Sequence, residues 1–169
     1  MRSCRYHLAV IGTSDVHDLI DWDYKPYAGG HRPVTLVFAR SKNANSIKQA
    51  LEARRTVVWF KNRLFGLREN LIPLINSSLS TGSATYSDET TIARFTIKNS
   101  SDATFVLRNL SDYSFTNSDN LVEVPAQGTK YVQVKTLEKV GVLNMDFEVL
   151  NALISPNENA KINLKIRIY

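Results

Sequence analysis

Apolar residues follow two different periods along this chain, and the change of period divides it into two parts. In the first part, three short apolar runs at residues 8–11, 33–39 and 56–60 predict buried strands. Apolar residues at helical spacing predict amphipathic helices over 44–54 and 67–79. The first part is therefore predicted to be an α/β fragment.

The strand–helix–strand order over residues 33–60 predicts a parallel pair of strands joined by a crossover helix. Ser41 or Asn43 can supply the N-cap of that helix, because a short polar side chain accepts a bond from a free backbone amide. Pro73 lies inside the second helical pattern and predicts a delayed start or a kink there.

The second part begins after a stretch of small polar residues at 77–83 and has period two. Short strands with one polar face each predict an antiparallel, immunoglobulin-like β-sandwich, without the Cys-Trp-Cys pattern of antibody domains. The expected domains are residues 1–79 and 80–169. Strands are predicted at 93–98, 131–135, 145–149 and 162–168, and shorter ones near 104–107 and 121–124.

Composition indicates an ordinary soluble protein, with 43% hydrophobic and 22% charged residues in a chain of 169. No run of eighteen apolar residues occurs, so no membrane span is expected. The apolar run after the basic N-terminus is too short for a signal peptide, although a missing N-terminal part could have carried one, which leaves the compartment open. Cys4 is the only cysteine, which excludes an intrachain disulfide and a cysteine-based metal site.

The net charge of +5 is uneven: residues 1–79 hold 12 Lys/Arg and 6 Asp/Glu, and residues 80–169 hold 9 and 10. A phosphate-bearing substrate would favour the positive first half. The alternative is a solvated helix face. Binding of nucleic acid is not expected, because the basic residues are dispersed and do not alternate with aromatic ones.

Asp15 and His17 are candidate metal ligands. They follow the apolar run 8–11, and residues two apart in an extended strand point to the same side. A carboxylate and an imidazole are good ligands for zinc, manganese or iron. The alternative is that Asp15 caps a turn and His17 is an ordinary loop residue.

Arg32 and His31 are candidate substrate-binding residues. They follow Gly29 and Gly30, which would let the backbone approach an anion, and Arg32 could grip a phosphate with two hydrogen bonds. In the alternative, Arg32 pairs with an acid of the preceding loop and His31 packs against Trp22 or Tyr27.

The motif Gly-Thr-Ser-Asp-Val-His at residues 12–17 resembles the last metal motif of the PHP (polymerase and histidinol phosphatase) family. Residues 21–24, 30–39 and 50–57 also resemble the C-terminal part of bacterial PHP-type phosphoesterases, so the resemblance covers roughly residues 1–79. It implies a distorted barrel of strands and helices with a multinuclear metal cluster that hydrolyses phosphate esters. The family's opening His-x-His motif and its intermediate His and Glu ligands do not occur here.

The resemblance implies that the chain is the C-terminal portion of such an enzyme, with Asp15 and His17 as ligands of a divalent metal. Because a metal site needs three or four protein ligands and the motif offers two, weak metal binding and little activity are expected from the chain alone. Exposed edges of the α/β fragment would need cover, which predicts a homodimer or pairing with a missing N-terminal part. The alternative function is a non-catalytic binding or assembly module built on the β-sandwich.

Overall fold

A computed structural model describes residues 8–87, 89–116 and 120–169. The chain forms two compact units. The first consists of the residues up to Leu71 together with Ala152–Glu158, and the second of Ile72–Asn151 together with Asn159–Tyr169. The domain boundary predicted at residue 79 stays a prediction.

The first unit contains an antiparallel meander of three strands. Strand β2 pairs with β1 on one side and with β3 on the other. Leu64 and Phe65 of β3 pair in parallel with Ala152 and Leu153, which belong to the tip of a later hairpin. The elements are α1 Ile20–Tyr24, a 3-10 helix Pro26–Ala28, β1 Val34–Val37, α2 Ala44–Glu52, β2 Thr56–Phe60 and β3 Arg63–Gly66.

The prediction of a parallel strand pair with a crossover helix is wrong. The end of β1 at Val37 lies opposite the start of β2 at Thr56, so the two strands are antiparallel. The Phe38 amide continues the ladder by donating to the Arg55 carbonyl at 2.9 Å. Arg54, with φ of 57°, reverses the chain directly after the helix, so that α2 serves as a long hairpin connection. Apolar periodicity identifies such elements but not their direction.

The strand predicted at residues 8–11 is also wrong. Residues 8–19 form neither helix nor strand, and the Leu8 and Ile11 side chains are each 58% exposed. A short apolar run therefore did not suffice here to define a buried strand.

Both predicted helices of the first part occur with slightly different ends. Asn43 is the N-cap of α2, because its side chain accepts a hydrogen bond from the Ser46 amide at 2.8 Å, which confirms one of the two predicted caps. Helix α3, Arg68–Ser78, contains Pro73 in its interior and begins five residues before it, so the proline does not delay its start.

The second unit contains two sheets made almost entirely of antiparallel pairs. In one, β12 pairs with β11, followed by β7 and β9; in the other, the order is β4-β6-β10-β8, with β5 also on β6. The tip of the β11–β12 hairpin, Ala152–Glu158, belongs to the first unit. The strands are β4 Leu79–Thr81, β5 Thr85–Tyr86, β6 Ile92–Asn99, β7 Phe105–Asn109, β8 Ser114–Phe115, β9 Leu121–Val124, β10 Thr129–Lys135, β11 Val142–Ser155 and β12 Glu158–Arg167.

Alternate residues of these strands form the core of the second unit. Strand β6 shows the pattern well, since Ala93, Phe95 and Ile97 are buried while Arg94 and Lys98 are exposed. This is the period-two arrangement predicted from the sequence. Further core residues are Leu107, Val132, Val134, Met145, Phe147, Val149, Ile162, Leu164 and Ile166.

None of the helices among the described residues has both the length and the apolar character needed to cross a membrane.

An ion pair on the second unit should shape its stability at acid pH. The hydrogen bond from Arg108 lowers the pKa of Glu148, against the effect of burial, and a 3.2 Å bond from Asn159 lowers it further. A lowered folded pKa means that ionised Glu148 stabilises the fold above its unfolded pKa, and that this contribution is lost as pH falls through the folded value. We expect Arg108→Gln to reduce this loss between about pH 5 and 3.

The measurement is urea unfolding over that pH range, and the difference should stay under about 1 kcal/mol because Arg108 is half exposed. Arg167→Gln removes an exposed cation from β12 and is the matched control. Equal acid sensitivity of wild type and Arg108→Gln would contradict the stabilising role assigned to the Arg108–Glu148 ion pair.

Candidate metal and phosphate site

The segment that leads into the 12–17 motif is held by two threonine hydroxyls. The Gly12 amide donates to Thr35 Oγ1 at 3.0 Å, and the same hydroxyl donates to the Gly12 carbonyl at 3.1 Å. Thr56 Oγ1 donates to the Val10 carbonyl at 2.8 Å. Because Thr35 lies on β1 and Thr56 on β2, side chains rather than a backbone ladder fix this segment to the meander.

Gly12 is required at its position by close packing. A Cβ atom there would lie 2.5 Å from Val58 Cγ1 and 3.5 Å from Pro33 Cβ, and the first distance is shorter than a real contact allows. The start of the motif therefore packs closely against β2.

Asp15 and His17 are both exposed to solvent. Asp15 has a φ of 51°, in the left-handed region, where aspartate is one of the better tolerated residues. The argument that an extended strand aligns the two side chains therefore fails for this segment. Their role as metal ligands stays a prediction that rests on residue type and on the resemblance.

The structure brings Arg32 beside the motif. An open pocket of about 410 Å³ is lined by residues 12–14 and 32–35, so that the exposed residue Arg32 and the start of the motif border the same space. An exposed arginine in such a pocket is suited to binding an anion, because its guanidinium group can donate two hydrogen bonds to a phosphate or carboxylate.

His31 packs on an aromatic ring, but on neither of the rings considered from the sequence. Its ring centroid lies 4.1 Å from that of Trp59, with 33° between the planes, and its Nδ1 is 2.8 Å from the Arg32 carbonyl oxygen. Trp22 and Tyr27 instead have 68% and 81% of their surface exposed. These contacts favour a packing role for His31.

Gly29 and Gly30 are explained by the local turn. Gly29 has a φ of 80° after the 3-10 helix, and a Cβ atom on Gly30 would lie 1.9 Å from the Tyr24 carbonyl oxygen. The glycines therefore allow the chain to turn back towards β1, and their presence is no evidence for an anion site.

The acids that follow the motif lie at or just before α1. Asp21 and Asp23 are in its first turn, and Tyr24 links the helix to the motif because its hydroxyl donates to the Ser14 carbonyl at 3.2 Å. Among residues 8–87, 89–116 and 120–169, no three or more His, Cys, Asp or Glu side chains are grouped as metal ligands would be.

Sequence reasoning missed the residues that position the motif: Thr35, Thr56 and Tyr24. Threonine and tyrosine are common in strands of any kind, so their types carried no signal for a contact with the motif. Only the pairing register places their hydroxyls beside the motif segment.

Two sheets with alternating buried residues define the second unit as an immunoglobulin-like β-sandwich. A family model, DUF5001, described as an Ig-like domain, matches residues 79–165, just over half of the chain. The chain belongs to this family of Ig-like domains, which confirms the predicted sandwich.

A solved structure from Bacteroides vulgatus is similar over nearly the whole chain. It is described as a two-domain protein containing a predicted PHP-like metal-dependent phosphoesterase. The TM-score is 0.85 at 24% sequence identity, over 97% of this chain and 47% of that one, so this chain spans about half the length of its structural relative. The likeness shows a shared fold. No curated protein matched the sequence.

Proposed function

We propose that this chain is the C-terminal portion of a PHP-type metal-dependent phosphoesterase, carrying Asp15 and His17 as metal ligands and Arg32 as a phosphate-binding residue. The observation that carries the proposal is the pocket shared by residues 12–14 and Arg32, directly beside the motif that resembles the family's last metal motif. The fold shared with part of a protein described as PHP-like supports it.

The proposed ligands fit a metal by chemistry but do not complete a site. The Asp15 carboxylate and the His17 imidazole suit zinc, manganese or iron, whereas a zinc site alone needs three or four ligands. Both side chains are exposed and therefore free to reach a metal that other residues also hold. A bound divalent ion would lower the pKa of a water molecule and neutralise charge on the phosphoryl oxygens.

The chain's own residues would bind and orient the substrate. Arg32 would donate two hydrogen bonds to a phosphate in the pocket. Thr35 would keep Gly12 and the following residues in place through its two hydrogen bonds, and Tyr24 would do the same for Ser14. With only two ligands assigned, the polypeptide alone should bind metal weakly and turn over little substrate.

A non-catalytic binding or assembly module is the second candidate. It is favoured by the family match, which covers the β-sandwich and not the motif-bearing residues. In that case the sandwich would be the working part of the chain.

Metal binding is tested by calorimetric titration with Mn²⁺ and Zn²⁺. Activity is tested by a phosphatase and phosphodiesterase assay. We expect weak binding that Asp15→Asn and His17→Ala each reduce by about tenfold or more, because each removes one of two ligands. Asparagine also tolerates the left-handed φ of Asp15. Asp18→Asn, which changes a neighbouring exposed acid in the same way, should bind like wild type.

Absence of binding at saturating metal would favour the module. Binding that Asp18→Asn weakens as much as Asp15→Asn would reject the ligand assignment. Robust turnover by wild type, abolished in Asp15→Asn, would support the chemistry and contradict the expected low activity of the polypeptide alone.

A further inference from the structure

One outer surface of the β-sandwich carries positive charge without negative charge. The five strands β4, β5, β6, β8 and β10 contain no aspartate or glutamate. Their outward positions include exposed Arg94 and Lys98 on β6, and Lys135 and Tyr131 on β10. These four residues are called the cationic face below.

The strand register places the tyrosine between cations. Tyr131 lies opposite Thr96, which stands between Arg94 and Lys98 on β6. Diagonal neighbours on a sheet are about 7–8 Å apart, and two residues four positions apart on a strand are about 13 Å apart. Tyr131, 53% exposed, thus occupies a position diagonally between those of Arg94 and Lys98.

A pocket lies at the edge of this surface. It has a volume of about 220 Å³ and is lined by residues 130–133 of β10, by Phe115 and by Leu121 and Val122 of β9. Tyr131 and the Gln133 amide therefore border the pocket from the cationic face, whereas Lys130 lies on the opposite side of β10.

The outer surface of the other sheet is different, because its strands carry acidic side chains as well as basic ones. Arg108 pairs with Glu148, and Asp146 accepts a hydrogen bond from Asn163 at 2.8 Å. In the described part of the chain, no carboxylate forms an ion pair with a cation of the cationic face. Its three cations are therefore not neutralised by an ion pair within the described residues.

We propose that the cationic face binds an acidic polysaccharide, a carboxylated sugar polymer lying across β6 and β10. Arg94, Lys98 and Lys135 would pair with its carboxylates, and the Tyr131 ring would pack against the face of one sugar ring beside the pocket. The neutral side chains between the cations offer hydroxyl and amide groups for sugar hydroxyls: Ser80, Thr85, Thr96, Thr129 and Gln133.

The same features disfavour two other classes of ligand, nucleic acids and proteins. Single-stranded nucleic acid binds on a series of aromatic side chains that stack successive bases, and this face has a single exposed aromatic, Tyr131. The core of a protein interface is depleted of charged residues, whereas three of the four residues of this face are charged. A sugar polymer needs one stacking ring, spaced cations and many hydrogen-bonding groups.

The test is calorimetric titration of the full chain with oligogalacturonate at low salt. We expect Arg94→Gln/Lys98→Gln/Lys135→Gln to weaken binding by about tenfold or more, since three charge pairs are lost. Tyr131→Ala should also weaken it severalfold without altering charge. The control Lys161→Gln/Lys165→Gln/Arg167→Gln removes the same charge from exposed positions of β12 and should bind like wild type.

The proposal is overturned if wild type does not bind oligogalacturonate, or if the two triple variants lose affinity equally, which would indicate net charge alone. It is also overturned if oligothymidine binds more tightly than oligogalacturonate, or if Tyr131→Ala binds like wild type. Binding of an uncharged oligosaccharide with equal affinity would exclude the role of the cations. Circular dichroism of each variant establishes that it is folded.

Discussion

Phe147→Ala is expected to lower the free energy of unfolding by about 3–5 kcal/mol. Phe147 is fully buried on β11, and its ring stacks on that of Phe115 with centroids 6.4 Å apart. Alanine removes most of the apolar surface that this side chain buries and leaves a cavity that neighbouring strands can fill only in part. Urea unfolding measures the loss of unfolding free energy. The slope of this free energy against urea concentration is compared between the variant and wild type.

Phe147→Leu keeps most of the volume and should cost less, which provides a measurable variant if the alanine variant does not fold. Tyr131→Ala deletes an aromatic ring from the exposed surface of the same sandwich and is expected to change stability by under about 0.5 kcal/mol. A loss of similar size for Tyr131→Ala and Phe147→Ala would show that burial does not explain the effect.

Asn99→Ala is expected to cost about 2–4 kcal/mol, because it leaves several buried backbone groups without partners. The fully buried Asn99 amide donates to the carbonyls of Ala103 and Pro125 at 2.7 and 3.0 Å. Its carbonyl oxygen accepts from the Ser101 amide at 2.9 Å and from the Ser101 hydroxyl at 2.8 Å. One side chain thus joins the end of β6 to two turns.

The next strand ends in the same way, which indicates a recurrent arrangement. The Asn109 amide donates to the Tyr113 carbonyl, four residues on, at 2.6 Å, and its oxygen accepts from the Ser111 amide, two residues on, at 3.0 Å. Both are side-chain turns of the kind that asparagine favours.

Asn163→Ala is the matched control for Asn99→Ala, since the exposed Asn163 side chain donates to Asp146 and, among the described residues, bonds to no turn. It should change the urea midpoint little. If Asn99→Ala were as stable as Asn163→Ala, the buried hydrogen bonds of Asn99 would not hold the turns together.

The sequence alone determined the alternation of buried and exposed residues in the long strands of the second unit. Alternation at Ala93, Phe95 and Ile97 decides which side of β6 is buried, because side chains on a strand point alternately to its two faces. Local capping chemistry likewise limited the N-cap of α2 to Ser41 or Asn43, and Asn43 is the cap in the structure. These features depend on near neighbours in the chain, and for that reason they can be predicted from it.

For the candidate site, the sequence could indicate which residues to consider but not their conformations. The motif at residues 12–17 and Arg32 could be chosen from residue types, and the structure places Arg32 beside residues 12–14 in one pocket. The left-handed conformation of Asp15 and the packing of His31 on Trp59 could not be anticipated. They depend on where distant residues lie.

Tertiary structure alone decided the direction of β2, the absence of a strand at residues 8–11 and the pairing of β3 with the hairpin tip at Ala152 and Leu153. An apolar run indicates that a segment can be buried, but not which strand it pairs with or in which direction it runs. The hydroxyls of Thr35 and Thr56 take the place of a ladder for the motif segment. Such long-range hydrogen bonds form only after the meander has brought them within reach, because nothing in the local sequence specifies their partners.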